Sequence, residues 1–265
     1  MIKDRVIQKR IKGKVLAMAM TAVMASLFVP LGVEAAHNDV TIGASERSTI
    51  VLTEEYKWYV INKDGTEGAL STDTCLVDGE CSGHKFIGSG PSQYAIKVAG
   101  GKHKITLKDV NTDLSTVEGN PRFSALDIAK DAEVDLTLEG NNTLTSARTR
   151  AGIAVPETAK LTIREAKDGG SLTVSSPYGG AGIGGDGVTD TSTAGSITIE
   201  SGTINAKGSS GGAGIGGFEE GGAGTITING GNVTAIGGDG SSTDADGELR
   251  TKGAPGIGSG SGGNV

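Results

Sequence analysis

An acidic, glycine-broken loop between residues 238 and 252 carries the side chains best suited to bind a cation. Its four carboxylates are Asp239, Asp244, Asp246 and Glu248. Ca²⁺ prefers several hard oxygen ligands on a flexible loop, so we predict a Ca²⁺ site here, to which Asp186 and Asp190 of an earlier loop could contribute. The spacing misses the EF-hand consensus and matches only part of a glycine-rich Ca²⁺-binding nonapeptide, so a solvated acidic loop is the alternative.

Threonines that each lie between two aliphatic residues form a second candidate site. In an alternating strand the aliphatic neighbours point inward, so the threonines point outward on one face. We predict one column of hydroxyls that contacts polysaccharide or ordered water, formed by Thr106, Thr137, Thr162, Thr198 and Thr227. The alternative is structural, because threonine suits strands and stacked threonine pairs stabilise a ladder.

Three aromatic residues close together form a third candidate, a platform for sugar rings. Alternation places Tyr56 and Trp58 on one face of a strand and Tyr59 on the other. Packing inside a cap is the alternative reading, because aromatic side chains bury a large area.

The acidic residues near the middle of the chain do not predict catalysis. Glycan-cleaving enzymes need paired carboxylates, or carboxylates with a basic residue. Asp127, Asp131 and Asp135 lie near Lys130, but their counterparts in neighbouring repeats are Gly, Ala or Lys. The arginines that could lie near them are Arg148, Arg150 and Arg164, and the three histidines are His37, His84 and His103. None of the histidines belongs to a recognisable catalytic motif with Ser or Cys. We therefore expect no enzymatic activity.

A sequence repeat predicts the elements that position these residues. The segment GGAGIGG at 179–185 returns unchanged at 211–217, and ITI-containing strands follow each copy. Weaker copies lie upstream, with Leu161-Thr-Ile163, Leu136-Thr-Leu138 and Ile105-Thr-Leu107 as the counterparts of the ITI strand. Self-similarity at a period of about 30 residues indicates a repeat architecture.

Each repeat contains three short alternating stretches separated by glycine or small polar residues, and alternation of this kind predicts half-buried strands. The sequence therefore predicts an all-β fold, a parallel β-solenoid with three strands per coil, over residues 94–265. A flexible glycine-rich linker is the alternative, but it would not keep aliphatic residues at matched offsets. No terminal cap is recognisable at the end of the sequence, so we expect the coils to be truncated there.

The N-terminal region divides into a leader and a cap. Residues 1–35 combine a basic start, an apolar run and a small-residue cleavage site before Ala36, which predicts a secretory signal peptide. The apolar run is short for a membrane anchor, the alternative reading. Residues 36–93 are predicted to cap the first coil.

This region contains Cys75 and Cys81. An oxidising compartment outside the cell favours a disulfide between them, with two free thiols as the alternative.

The charge of the chain excludes one class of partner. The formal net charge is −7, and removal of the basic leader makes it more negative. A strongly acidic protein does not bind bare nucleic acid through charge. We therefore expect no nucleic-acid partner, and no membrane insertion once the leader is removed.

The phrases GGAGIGG, AGSITIESGTINA and AGTITINGGNVTA resemble the glycine-rich repeats of secreted surface proteins from Gram-positive anaerobes. These look like pectate-lyase-type right-handed β-helices, and one related group binds carbohydrate, with calcium sites and affinity for pectin-like polymers. The segment from Cys75 to Gly90 also resembles the start of such helices. The resemblance implies a right-handed helix and a carbohydrate ligand.

These observations lead to one functional expectation. We predict an exported, non-catalytic protein of the cell surface that binds extracellular polysaccharide, with Ca²⁺ as the one suggested cofactor. The first alternative is an adhesin or a structural stalk segment of a larger surface protein. The second is a degenerate polysaccharide lyase. Composition and motifs do not predict the glycan or the oligomeric state.

Overall fold

The structure is a computed structural model that describes residues 33–36, 39–42, 48–53, 58–61, 67, 76–77, 80–81, 83–117, 123–186, 193–240 and 252–263. For residues 33–36, 39–41, 58–61, 76–77 and 80–81 the description covers the backbone. Nearly all of the predicted signal peptide lies outside these ranges. Among the described residues no helix is long and apolar enough to cross a membrane.

The described elements are all strands. In the N-terminal part they are β1 (Val33–Ala36), β2 (Asp39–Ile42), β3 (Ser48–Leu52), β4 (Trp58–Ile61), β5 (Leu76–Val77), β6 (Glu80–Cys81), β7 (His84–Gly88), β8 (Pro91–Ser92), β9 (Tyr94–Val98), β10 (Lys102–Lys108), β11 (Asn111–Asp113) and β12 (Leu126–Ile128). They continue with β13 (Glu133–Thr145), β14 (Ile153–Ala154), β15 (Lys160–Ser175), β16 (Ile183–Gly184), β17 (Ser196–Ile199), β18 (Thr203–Lys207), β19 (Ile215–Gly216), β20 (Thr225–Ile228), β21 (Asn232–Ile236) and β22 (Ile257–Gly258).

The strands stack as three parallel strips along one axis. The first strip has the order β2-β7-β10-β13-β15-β17-β20, and the second has the order β8-β11-β13-β15-β18-β21. The third strip is the sheet β3-β9-β12-β14-β16-β19-β22. Each coil passes through the strips in turn, as in β10, β11 and β12. In two coils a single long strand, β13 or β15, supplies both the first and the second strip.

This topology confirms the predicted all-β parallel solenoid with three strands per coil. A right-handed turn stays an expectation from the resemblance. Parallel pairing also extends upstream of residue 94, because β7 and β8 pair with β10 and β11. At the N-terminal end the pairing changes, since β1 lies antiparallel to β2 and β4 lies antiparallel to β3.

The core is a set of aliphatic columns that run along the axis. Alternate residues of every strand point inward, so residues in register stack on one another. The third strip shows this most simply, with Leu126, Ile153, Ile183 and Ile215 in successive coils, each fully buried. Burial of one such side chain contributes about 2 kcal/mol, which explains why the aliphatic positions repeat more faithfully than the polar ones.

The repeated GGAGIGG segment forms the third strip and the bends around it. Gly184 and Gly216 have φ angles of 130° and 134°, a region that side-chain-bearing residues rarely adopt. A Cβ at Gly184 would also collide with the carbonyl oxygen of Gly216 in the next coil. The glycines are therefore needed for stacking of the coils, which accounts for their period.

Two histidines are buried inside the solenoid near its N-terminal end. His84 and His103 are each 2% exposed, and their rings stack with centroids 5.8 Å apart. The Nε2 atom of His103 lies 2.9 Å from the carbonyl oxygen of Gly100, which makes Nε2–H the donor. Burial, and secondarily the neighbouring His103, lower the pKa of His84 to about 4. Both imidazoles are thus neutral in the folded protein at neutral pH.

Candidate functional site

The outward side of the second strip is a flat, almost uncharged polar surface, which we call the hydroxyl–amide face. It is formed by three columns of residues in parallel register. The columns are Asn141-Ser171-Thr203-Asn232, Asn111-Thr143-Thr173-Asn205-Thr234 and Asp113-Thr145-Ser175-Lys207-Ile236. The charged members, Asp113 and Lys207, lie in the marginal third column.

Buried neighbours hold the hydroxyl–amide face flat. The inward residues of these strands, among them Leu172, Val174 and Ile204, are fully buried. Polar contacts also link the coils across the face. The Oγ of Ser171 donates to Oδ1 of Asn141 at 2.8 Å, and the hydroxyls of Thr145 and Ser175 lie 3.2 Å apart. Neighbouring strands are spaced about 4.8 Å apart, so the five coils of the face extend over about 20 Å.

An exposed aromatic ring lies in the turn that follows the β15 segment of this face. Tyr178 follows β15 shortly after Ser175, and 53% of its surface is exposed. The guanidinium carbon of Arg148, in the turn one coil earlier, lies 5.6 Å from the centre of the tyrosine ring. A cation over an aromatic face at this distance is attractive, so Arg148 restrains the ring while leaving it open to solvent.

The first strip carries the predicted threonine column in part. Thr162, Thr198 and Thr227 are in register and do form a column. The prediction that Thr106 and Thr137 belong to it is wrong. Those two threonines pair with each other and with Arg164. Arg164 lies two residues beyond Thr162 and is the next outward residue of the same strand. The counterpart of Thr162 is Asp135, because the strand β13 begins two residues earlier than the pattern suggested.

Ion pairs lie on another part of the outward side of the first strip, where β10, β13 and β15 are neighbours. Lys102 and Lys160 flank Glu133, with N–O distances of 3.0 and 2.8 Å. Hydrogen bonds from Lys160 and then Lys102 lower the pKa of Glu133. The groups are exposed, so these pairs contribute little to stability. These pairs make the part of the first strip formed by β10, β13 and β15 a charged surface, unlike the hydroxyl–amide face.

A second charged cluster joins three successive coils on the third strip. Arg150, in the turn before β14, lies 2.9 Å from Oδ2 of Asp186 and 3.4 Å from Oδ2 of Asp127. Asp186 is buried, and its Oδ1 accepts the N–H of Ala151 at 2.8 Å. One guanidinium thus connects a carboxylate of the preceding coil with a carboxylate of the following coil.

Asp127 opens into a small cavity beside this cluster. The cavity has a volume of about 180 Å³, and Lys97, Lys130 and Pro156 also line it. Burial raises the pKa of Asp127, while Arg150 and Lys97 act in the opposite direction. A buried carboxyl beside cations is a known arrangement for acid–base chemistry, but glycoside hydrolysis needs a second carboxyl that can act on the substrate. Asp186 is engaged with Arg150 and the backbone, so we assign the cluster a structural role. That the chain is not an enzyme stays a prediction.

The other catalytic candidates are dispersed. Asp131 lies in a turn with a φ of 65°, and its N–H donates to the hydroxyl of Thr158 at 3.1 Å. Asp135 points outward from the first strip and pairs with Arg164 at 3.2 Å. The three aspartates that stand close in sequence therefore lie on separate parts of the coil.

Most of the predicted metal and aromatic sites lie outside the described residues. Asp244, Asp246 and Glu248 belong to the part that is not described, whereas Asp239 is described and exposed. No group of three or more potential metal ligands occurs among the described residues. Asp186 binds Arg150, so the predicted contribution of Asp186 to a Ca²⁺ site is not supported by its contacts. The Ca²⁺ site stays a prediction.

The side chains of the N-terminal candidates also lie outside the described part of the chain. Tyr56 and Cys75 lie outside the described residues, and only the backbone is described for Trp58 and Cys81. The aromatic platform and the disulfide between Cys75 and Cys81 stay predictions.

Sequence reasoning missed the hydroxyl–amide face and Tyr178. A signal for the face was present in the segments Ser171–Ser175, Thr203–Lys207 and Asn232–Ile236, where polar residues, almost all uncharged, alternate with aliphatic ones. Three such segments in one strip predict a polar sheet surface. Tyr178 lies in the turn after β15, and the alternating pattern does not specify the conformation of that turn.

Comparison of the chain with protein-family models, with curated proteins and with solved structures finds no match in any of the three.

Proposed function

We propose that this protein is a non-catalytic polysaccharide-binding protein of the cell exterior, and that the hydroxyl–amide face is its binding surface. The observation that carries the proposal is the register of outward Thr, Ser and Asn side chains over successive coils. Hydroxyl and amide groups each donate and accept hydrogen bonds, as sugar hydroxyls do. A flat array of such groups suits an extended sugar polymer better than a compact ligand, which needs a concave pocket.

The charge distribution favours a neutral polymer. The whole chain is acidic, whereas the hydroxyl–amide face has charged residues only in its marginal column. An acidic polymer would be repelled by the protein as a whole and would find no cationic row on this face. A neutral glycan meets neither obstacle.

Tyr178 supplies an apolar contact in the turn that follows the β15 segment of the same face. The faces of sugar rings present C–H groups, which can cover an aromatic ring and remove it from water. The ring is already exposed and restrained by Arg148, so binding would cost little side-chain entropy.

Substitution of Thr173 by aspartate tests the face. Thr173 is exposed in the central column. A carboxylate at this position would be desolvated when the glycan binds and would gain no cationic partner in return. We expect binding to fall at least about tenfold in pull-down assays with insoluble cellulose, chitin, β-glucan and mannan, with polygalacturonate as the acidic contrast.

Thr198→Asp is the matched control, because it places the same charge in the threonine column of the first strip. Retained binding by Thr198→Asp with loss in Thr173→Asp assigns the site to the hydroxyl–amide face. The reverse pattern would assign it to the threonine column. If folded wild-type protein binds none of the polymers, with Ca²⁺ or with a chelator, the carbohydrate proposal fails.

Substitution of Tyr178 separates the role of its ring from that of its hydroxyl. We expect Tyr178→Ala to weaken retention on the polymer, and Tyr178→Phe to retain most of it, because the ring supplies the apolar contact. Retention curves at increasing protein concentration give both affinities. Equal affinity of wild type and Tyr178→Ala would remove this residue from the proposed site.

A stalk segment of a larger surface protein is the second candidate function. The continuous stack of coils, each in contact with its neighbours along one axis, favours it, because such a stack is an elongated spacer. Absence of glycan binding by protein that is folded by circular dichroism would favour this second function.

A further inference from the structure

A cavity lies on the outward side of the third strip, whereas the hydroxyl–amide face belongs to the second strip. It is lined in part by Lys97, Asp127 and Ala154, which are paired in register in successive coils. The next residue in register is Gly184, so the outward side chains become smaller along this column and leave space beside Asp127. The volume of this space, which we call the Asp127 cavity, is about 180 Å³. That equals about six water molecules, so the cavity suits one small molecule better than a polymer.

Three cationic side chains line the Asp127 cavity, and two of them have no acidic partner among the described residues. Lys97 and Lys130 are both exposed, and neither forms an ion pair or a side-chain hydrogen bond within the described part of the chain. The third cation, Arg150, is already engaged with two carboxylates. A lysine ammonium group donates up to three hydrogen bonds. The donors of Lys97 and Lys130 are therefore available to a bound molecule.

The charge of the Asp127 cavity is opposite in sign to that of the whole protein. Three cations and two carboxylates give its lining a net formal charge of +1, from Lys97, Lys130, Arg150, Asp127 and Asp186. The chain as a whole carries −7. A concave site with a local excess of one charge attracts ligands of the opposite charge, so the ligand of this cavity carries an anionic group.

The carboxyl group of Asp127 adds a second requirement. Its Oδ2 accepts a hydrogen bond from Arg150 at 3.4 Å, whereas its Oδ1 accepts none from the described residues. The side chain is 29% exposed, so Oδ1 can be reached by a ligand. A bare anion would meet this carboxylate as a like charge, but a hydroxyl group can donate to it. A ligand with both an anionic group and a hydroxyl satisfies the two requirements together.

We propose that the Asp127 cavity binds a small hydroxy acid, a molecule with one carboxylate and at least one hydroxyl group. The carboxylate accepts hydrogen bonds from the ammonium groups of Lys97 and Lys130, and the hydroxyl donates to Asp127. Ala154 and Pro156, which are buried and line the cavity, contact the carbon chain. The site lies on a different strip from the hydroxyl–amide face, so it does not depend on the proposed glycan binding.

An NMR titration of the isotope-labelled protein with glycerate tests the site. Propionate has the carboxylate without hydroxyls, glycerol has the hydroxyls without the carboxylate, and sulfate is a simple anion. We expect glycerate to give saturable shifts of the amide signals of residues 127–130 and 150–151, and the other three probes to bind at least about tenfold more weakly. Equal binding of glycerate, propionate and sulfate would reveal general attraction of anions and would overturn the proposal. So would the absence of shifts at these residues with glycerate.

Substitution of the two lysines identifies the contacts. Lys97→Gln and Lys130→Gln each remove one cation from an exposed side chain, and we expect each to weaken glycerate binding at least about tenfold. Lys102→Gln is the matched control, because this lysine is 75% exposed on the first strip, and its loss should leave the affinity unchanged. Circular dichroism shows whether each variant is folded. Unchanged affinity in both cavity variants, or the same loss in all three variants, would contradict the proposed site.

Discussion

Replacement of Arg150 by methionine is expected to lower the free energy of unfolding by about 3 kcal/mol. Arg150 lies 2.9 Å from Asp186, whose side chain is 3% exposed. Methionine retains the apolar length of the side chain but leaves the Asp186 carboxylate buried without its cation. Asp127, which also lies beside Arg150, loses the same partner.

Urea denaturation of wild type, Arg150→Met and Arg164→Met measures this effect. Arg164 also pairs with an aspartate, but the side chains of that pair are 47% and 44% exposed, so its loss should cost less than about 1 kcal/mol. The double variant Arg150→Met with Asp186→Asn should recover part of the stability, because it removes the buried negative charge that Arg150 balances. Equal, small effects of Arg150→Met and Arg164→Met would show that the cluster does not connect the coils as the structure indicates.

Acidification is expected to destabilise the protein through His84. The pKa of its imidazole falls from 6.5 to about 4 in the folded state. Below about pH 6.5 the unfolded chain therefore binds a proton that the folded chain does not bind. Stability from this residue is fully present above pH 6.5 and is lost as the pH falls towards 4, by up to about 3 kcal/mol.

Comparison of wild type with His84→Phe isolates this contribution. Carboxylates of the protein also titrate in the acidic range, but they are shared by both proteins, so the difference in pH dependence reports the buried imidazole pair. We expect the variant to lose less stability between pH 7 and pH 4. Parallel stability curves for the two proteins would contradict the burial and stacking of His84 and His103.

The fold could be predicted from the sequence because the inward positions repeat under strong constraint. Ile183 and Ile215 occupy the same buried position in successive coils, and the glycines around them cannot carry a Cβ. The register of the earlier coils was harder to predict. The matching motifs align Thr137 with Thr162, whereas in the structure Thr137 pairs with Arg164. A shift of two residues leaves every side chain on the same face, so the alternating pattern cannot reveal it.

The candidate sites also differ in how far the sequence predicts them. The alternation of polar and aliphatic residues indicates which residues of the second strip point outward. The hydroxyl–amide face could therefore have been predicted from the sequence. For the charged cluster, the sequence indicated only that Arg150 could lie near Asp127; the part of Asp186 was not predictable, because the three residues come from three coils and meet through turns of different length. Such turns tolerate changes that the strands do not, so the period of the repeat carries no information about them.

The proposed function places a neutral glycan along the hydroxyl–amide face. The most direct measurement is an NMR titration of the isotope-labelled protein with soluble cello-, manno- and β-glucan oligosaccharides in turn. We expect one of these to shift amide signals selectively at Ser171–Ser175, Thr203–Lys207 and Asn232–Ile236, together with the ring of Tyr178. Shifts confined to the first strip, or no shifts with any of the oligosaccharides, would contradict the proposed binding surface.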